Sequence, residues 1–300
     1  MHLRPIADIA LATLPLTGCA ALGGANSTPD QLVRDAAELV GADAVGRVEL
    51  EGSDVLLYYL DGDTPTIARV RGDSVESQVE DTAADWLRPD MPPVDEFPLD
   101  ALVERLDTAD CSASRMAQVQ LTFSGEFTTA IGCSRSDPFM DVQATWVGDT
   151  ELSTIETWDA ASLETAFALT EQLLGDEVRE IRFSTPEAIT VSAQYEFTAT
   201  GETMTVAGFG ECMPSYRVAG VPDDTGALLG VASCNDQAPF GDAAFSLAEI
   251  DTDAAIEALA TVAPTAGLLY LYEREGELVI QGMTAGTSTM WSRPVADIIG

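Results

Sequence analysis

The sequence predicts an α+β fold, built as tandem repeats of one helix packed on a three- to four-stranded antiparallel meander. Three observations lead there. Helix signals recur with starts near residues 29, 98, 160 and 251. Each is followed by short β-rich runs punctuated by Gly, Asp and Ser turns. A chain of 300 residues that is 46% hydrophobic and 21% charged can bury a core, unlike a disordered acidic tail.

The first helix signal is Thr28-Pro29-Asp30-Gln31. It offers a Thr N-cap, a Pro at the first helical position and a Gln placed for a capping box. Leu32, Val33, Ala36, Leu39 and Val40 then form one apolar stripe, and Gly41 closes it. Strands are expected over 45–51, 55–60 and 66–71, turning at Glu51-Gly52-Ser53 and Asp61-Gly62-Asp63. The second unit begins with a helix over 98–106, striped by Leu99, Leu102, Val103 and Leu106, and continues with strands over 116–123, 127–133 and 142–147. A third helix runs over 159–174 to Gly175. The strand that follows it, over 178–184, leads into a clean alternation of Ile189, Val191, Ala193, Tyr195 and Phe197 with polar partners, and 204–209 continues the sheet. The last helix, over 251–262, stops at Pro264 before strands over 268–272, 278–282 and 287–291. Residues 213–245 read as a long insertion with a strand pair around 228–234, and 88–98 as an acidic, Pro-rich connection. Two units per half give domains at 29–150 and 151–300.

Residues 1–19 carry a short positive start, an apolar stretch too short to span a bilayer, and the ending Leu16-Thr17-Gly18-Cys19. That ending resembles the lipobox of bacterial lipoproteins. The resemblance implies a signal peptide over 1–18, a lipidated Cys19 heading a flexible tether over 19–28, and anchorage by acyl chains such as palmitate at the outer face of the bacterial cytoplasmic membrane. An ordinary N-terminus with an incidental Cys is the alternative, since Asp8 interrupts the apolar run.

Besides Cys19 there are four cysteines, Cys111, Cys133, Cys212 and Cys234, equally spaced within two pairs. In an exported chain an even number reads as disulfides, and Cys111–Cys133 with Cys212–Cys234 is the simplest of three connectivities. A metal site lacks both Cys-x-x-Cys spacing and any His to complete it.

The formal net charge is −36, every one of the 14 bases is Arg, and the sole His is His2. Such a chain repels phosphate backbones, which excludes nucleic acid as a partner. Without His or Lys beyond the leader there is no Ser-His-Asp or Cys-His nucleophile, no Schiff base and no phosphate-loop Lys. Carboxylate chemistry survives that deletion, but no pair of acids can be nominated from spacing. Asp224-Thr225-Gly226 matches the aspartic-protease triplet only in letters and reads as a turn. Asp61-Gly62-Asp63 and Asp251-Thr252-Asp253 read as a hairpin turn and a helix cap, and neither continues into a calcium loop. No cofactor and no metal are expected.

The helix-plus-meander order resembles the PepSY and cystatin-like group, and paired units resemble the beta-lactamase-inhibitor-protein fold. The resemblance implies binding or regulation of other proteins. It rests on element order alone, and the Lys-containing ending of PepSY units is missing. Tyr58, Tyr59, Tyr270 and Tyr272 are the candidates for a recognition surface, although residues of this kind usually serve sheet packing. Trp86, Trp146, Trp158 and Trp291 fall near strand ends or linkers and read mainly as core, with cover of a domain seam as the alternative. The expected function is a lipid-anchored, non-catalytic module that binds an envelope component. A carrier for a small apolar or cationic ligand is the alternative, and a carboxylate hydrolase is the third.

Overall fold

Among the described residues, four of the five α-helices begin where the sequence places them. In a computed structural model that describes residues 28–80, 86–112, 114–134, 140–152, 158–184, 196–206, 210–220, 230, 232–235, 240–284, 287 and 289–300, they are α1 (Pro29–Val40), α2 (Leu99–Thr108), α3 (Ala160–Leu174) and α4 (Thr252–Val262). The caps explain the boundaries. Asp159 and Asp251 accept from the backbone N–H groups of Ser162 at 2.9 Å and Ala254 at 3.0 Å. Gly41 closes α1 in the left-handed region at φ 70°, a conformation only glycine adopts without strain. The expected capping box does not form. Thr28 makes no side-chain cap, and Gln31 turns along the helix to donate to Asp35 at 2.7 Å.

The fold class departs from expectation. The strands do not stay in separate three- to four-stranded units under one helix each. They merge into two large, predominantly antiparallel sheets, which dominate the molecule. The first sheet has eight strands. They are β1 (Val45–Glu51), β2 (Asp54–Asp61), β3 (Thr64–Arg71), β4 (Ser74–Val79), β5 (Arg115–Leu121), β6 (Phe127–Ser134), β7 (Met140–Val147) and β8 (Thr150–Glu151), in the order β4-β3-β2-β1-β5-β6-β7-β8. Two meanders therefore meet at their first strands, where Val48 stands opposite Val119 in an antiparallel ladder. The reason lies in the edges. A lone meander leaves a row of unpaired N–H and C=O groups along its first strand, and pairing β1 with β5 satisfies both rows at once.

The second sheet has nine strands: β9 (Glu177–Ser184), β10 (Glu196–Gly201), β11 (Met204–Val206), β12 (Gly210–Gly220), β13 (Ala232–Asn235), β14 (Phe245–Ser246), β15 (Ala266–Arg274), β16 (Glu277–Thr284) and β17 (Met290–Pro294). Again the first strands of two runs, β9 and β15, pair at the centre. A short helix, α5 (Val295–Ile299), follows β17. Across the start of the insertion expected over 213–245, residues 210–220 form a long strand. Its Pro214 lies opposite the break between β10 and β11, where Thr200 pairs with Ser215 and Met204 with Cys212. The alternating run from Ile189 to Tyr195 and the Asp224-Thr225-Gly226 triplet lie outside the described residues, as do the leader and Cys19.

In each half, the two longest helices lie side by side on one face of the sheet. Val33, Ala36, Leu99 and Leu102 share one apolar cluster with Val48, Leu57, Val70, Val119 and Ile131. Leu163, Phe167, Ala255 and Leu259 share another with Phe183, Phe197, Leu269 and Ile280. Both disulfides form as the spacing suggested, each across 22 residues of sequence, with Cα–Cα distances of 5.4 Å for Cys111–Cys133 and 5.2 Å for Cys212–Cys234. The first ties the exit of α2 to β6, and the second ties β12 to β13.

Candidate functional site

Helices cover one face of each sheet, so a recognition surface built by the strands themselves must use the other face. On the first sheet that face is polar yet buried. Arg47 donates to Gln120 Oε1 through Nε at 3.2 Å and through a terminal nitrogen at 3.0 Å, lies 3.7 Å from Glu49, and stacks over the Tyr58 ring at 4.8 Å. Burial and the neighbouring Glu49 push the Tyr58 phenol far above its ordinary range. The phenol therefore stays neutral.

A strap over residues 86–92 crosses this face. The Trp86 side chain, 1% exposed, packs edge-on to Tyr58 at 5.9 Å. A Cβ at Gly46 would collide with the Trp86 carbonyl, so only glycine lets the strap lie this close. Val206 and Cys212 of the second sheet join Tyr58, Trp86 and Leu87 in one small cluster, a seam between the two halves. At the same seam, the Arg88 guanidinium lies over Phe123 at 4.0 Å, and the Phe123 N–H donates to the Tyr216 hydroxyl at 2.8 Å. Trp86, read from sequence mainly as a core residue, is buried at this seam. Trp146 and Trp158 pack against the helix-covered cores.

The helix-free face of the second sheet is finished differently. Here a strap over residues 240–243 crosses β9 and β15. Its Phe240 N–H donates to Glu180 at 2.8 Å, the Asp242 N–H donates to the Glu273 carbonyl at 3.2 Å, and Arg179 donates to the Asp242 carbonyl at 3.2 Å. The backbone is pinned, but the Phe240 ring is 48% exposed. It stands edge-on over Tyr270 at 4.7 Å and near Tyr272 at 6.1 Å. Burial beneath this strap raises the Glu180 carboxyl above its ordinary value, opposed by the Phe240 N–H and by Arg182. Tyr270 is raised for the same reason, and Arg182 opposes that shift too.

The four tyrosines singled out from sequence do not converge. Tyr58 faces the seam, Tyr59 lies in the helix-covered core, and Tyr272 is buried with its hydroxyl donating to Gln281 at 2.9 Å. Tyr270 is the half-buried one, and it serves as the platform beneath Phe240. The alternation of residues along a strand forces this split, because Tyr58 and Tyr59 are consecutive and must point to opposite faces. Phe240 was missed. Its one signal was an aromatic residue set between Pro239 and Gly241 in a polar stretch.

Of the acidic turns, Asp61 and Asp63 flank the β2–β3 hairpin and Asp251 caps α4. Among the described residues no group of three or more His, Cys, Asp or Glu is placed to hold a metal, and no helix is long and apolar enough to cross a membrane.

No family model matches the chain, and no curated protein matches it. Among solved structures, the PCNA2–PCNA3 complex from Sulfolobus tokodaii aligns with 86% of this chain and 93% of that chain at 7% identity, with a TM-score of 0.17. At that score nothing is carried over to this chain.

Proposed function

We propose that this protein is a non-catalytic, lipid-anchored extracytoplasmic module that binds a protein component of the bacterial envelope through the helix-free face of its second sheet. One observation carries the reading. Phe240 holds a large apolar ring half in solvent on a backbone pinned by Glu180, Arg179 and Glu273, with Tyr270 as its platform. A rigid, partly exposed aromatic on a polar surface is the usual anchor of a protein interface. The Leu16-Thr17-Gly18-Cys19 sequence supports the anchor, and two disulfides suit an oxidising compartment.

The test has two arms. In a bacterial host expressing the full chain, labelled palmitate is incorporated into the protein and is lost in Cys19→Ala. A photoreactive phenylalanine at position 240 cross-links to an envelope protein, whereas the same group at Val79, an exposed residue on the edge strand of the first sheet, does not. Label persisting in Cys19→Ala refutes the anchor, and equal cross-linking from both positions refutes the site.

A further inference from the structure

The second half carries another feature, on the opposite side of the sheet from Phe240 and independent of it. Between α3 and α4 runs an open groove of about 450 Å³, lined by Ala160 and Glu164 of α3 and by Asp253, Ile256, Glu257, Ala260 and Thr261 of α4. The helical repeat produces it. Ala160 and Glu164 stand one turn apart, as do Asp253 with Ile256 and Glu257 and then Ala260, so buried Ile256 and half-buried Ala260 lie deepest while Ala160 and the carboxylates are exposed along the groove.

The two helices bring no base to these charges. No Arg, Lys or His occurs between Arg135 and Arg179, or between Arg217 and Arg274, so neither helix contains a base. The first half differs. Arg34 pairs with Asp95 at 3.0 Å, and Arg105 donates to the Gly148 carbonyl at 2.8 Å while stacking on Trp146 at 4.8 Å. Its helical layer supplies its own cations, and that of the second half supplies none.

We infer that the α3–α4 groove docks a basic segment of a partner protein. The aliphatic stem of one arginine or lysine lies along Ala160, Ile256 and Ala260, and its cationic head sits among Glu164, Asp253 and Glu257. Long basic side chains bury their stems on apolar surface while keeping the head among acids and water, which matches a groove of this kind. A second copy of a chain carrying −36 is repelled, and so is an anionic lipid surface.

The test is fluorescence anisotropy on the full chain, with a labelled peptide carrying three Arg in an Ala/Gly background. Wild type binds it, and a matched peptide with Glu in place of Arg does not bind. The triple variant Glu164→Gln, Asp253→Asn, Glu257→Gln weakens binding by at least about tenfold. A control variant Asp61→Asn, Asp63→Asn, Asp73→Asn removes the same charge from exposed turns of the first sheet and stays within about twofold of wild type. Absence of binding to wild type, or equal weakening in both variants, overturns the groove. Displacement of the peptide by spermidine at equal concentration overturns a protein segment as the occupant. Neither result touches the Phe240 reading, whose readout is cross-linking.

Discussion

Each sheet carries a strap across its helix-free face, and the two straps end in opposite ways. The strap at 86–92 is sunk into the seam, with Trp86, Leu87 and Arg88 all buried and the second half closed over them. The strap at 240–243 is fastened just as firmly through its backbone but presents Phe240 to solvent. The same device thus serves cohesion in one half and display in the other. What separates them is whether another part of the chain packs on top, because an aromatic side chain contributes its hydrophobic free energy only when something covers it.

The sharpest way to break this contrast is to truncate both aromatic residues. Trp86→Ala removes a fully buried indole from the seam, and is expected to cost about 3–5 kcal/mol in urea unfolding. Phe240→Ala removes a half-exposed ring and should cost no more than about 1 kcal/mol. Comparable losses in the two variants would mean that Phe240 is a packing residue.

A smaller effect separates the polar groups on the same two faces. Arg47 is buried and bonded to Gln120, so Arg47→Met leaves the buried Gln120 Oε1 with only the longer bond from Gln118 Nε2 at 3.4 Å and should cost about 1–3 kcal/mol. Arg182 on the second sheet is exposed, and Arg182→Met should stay within about 0.5 kcal/mol. Thermal unfolding of the two variants side by side reads the difference. Equal losses would show that the second face is covered as the first is.

How much of this could be read from residues follows from which forces leave a pattern in sequence. The helices, and the hairpins at Gly52, Gly62 and Gly276, follow from caps, apolar stripes and turn residues, all of which are local. β4 was missed because every residue from Ser74 to Val79 is exposed, and a strand wet on both faces shows no alternation. β12 was hidden by Pro214, which lies opposite the gap between β10 and β11 on one side and opposite Cys234 of β13 on the other. The union of β1 with β5 and of β9 with β15 leaves no side-chain signature at all. Alternation reports which face is buried, whereas edge pairing is made by backbone groups that every residue carries. This is why helices and hairpins were legible and the two large sheets were not. The candidate site suffered likewise. Tyr270 was visible, but its partner Phe240 comes from a separate strap, and only the folded chain brings the two together.

The last contrast is one of protonation, and its effect is the smallest. Glu180 lies under the exposed strap, and burial holds its carboxyl above the ordinary value of 4.5, with the Phe240 N–H and Arg182 pulling the other way. The folded state therefore keeps this proton over a range of pH in which the unfolded chain has lost it. The contribution is at its most favourable below about pH 4.5 and declines as pH rises through the folded value. Glu180→Gln still offers an oxygen to the Phe240 N–H but cannot ionise. The variant should thus unfold at a higher urea concentration than wild type at pH 7, and the gain should vanish as the pH falls below the ordinary carboxyl value. A pH series of urea midpoints measures this directly. If the midpoints coincide at pH 7, water reaches Glu180 freely, and the strap is loose enough that Phe240 would lose the rigidity an anchor residue requires.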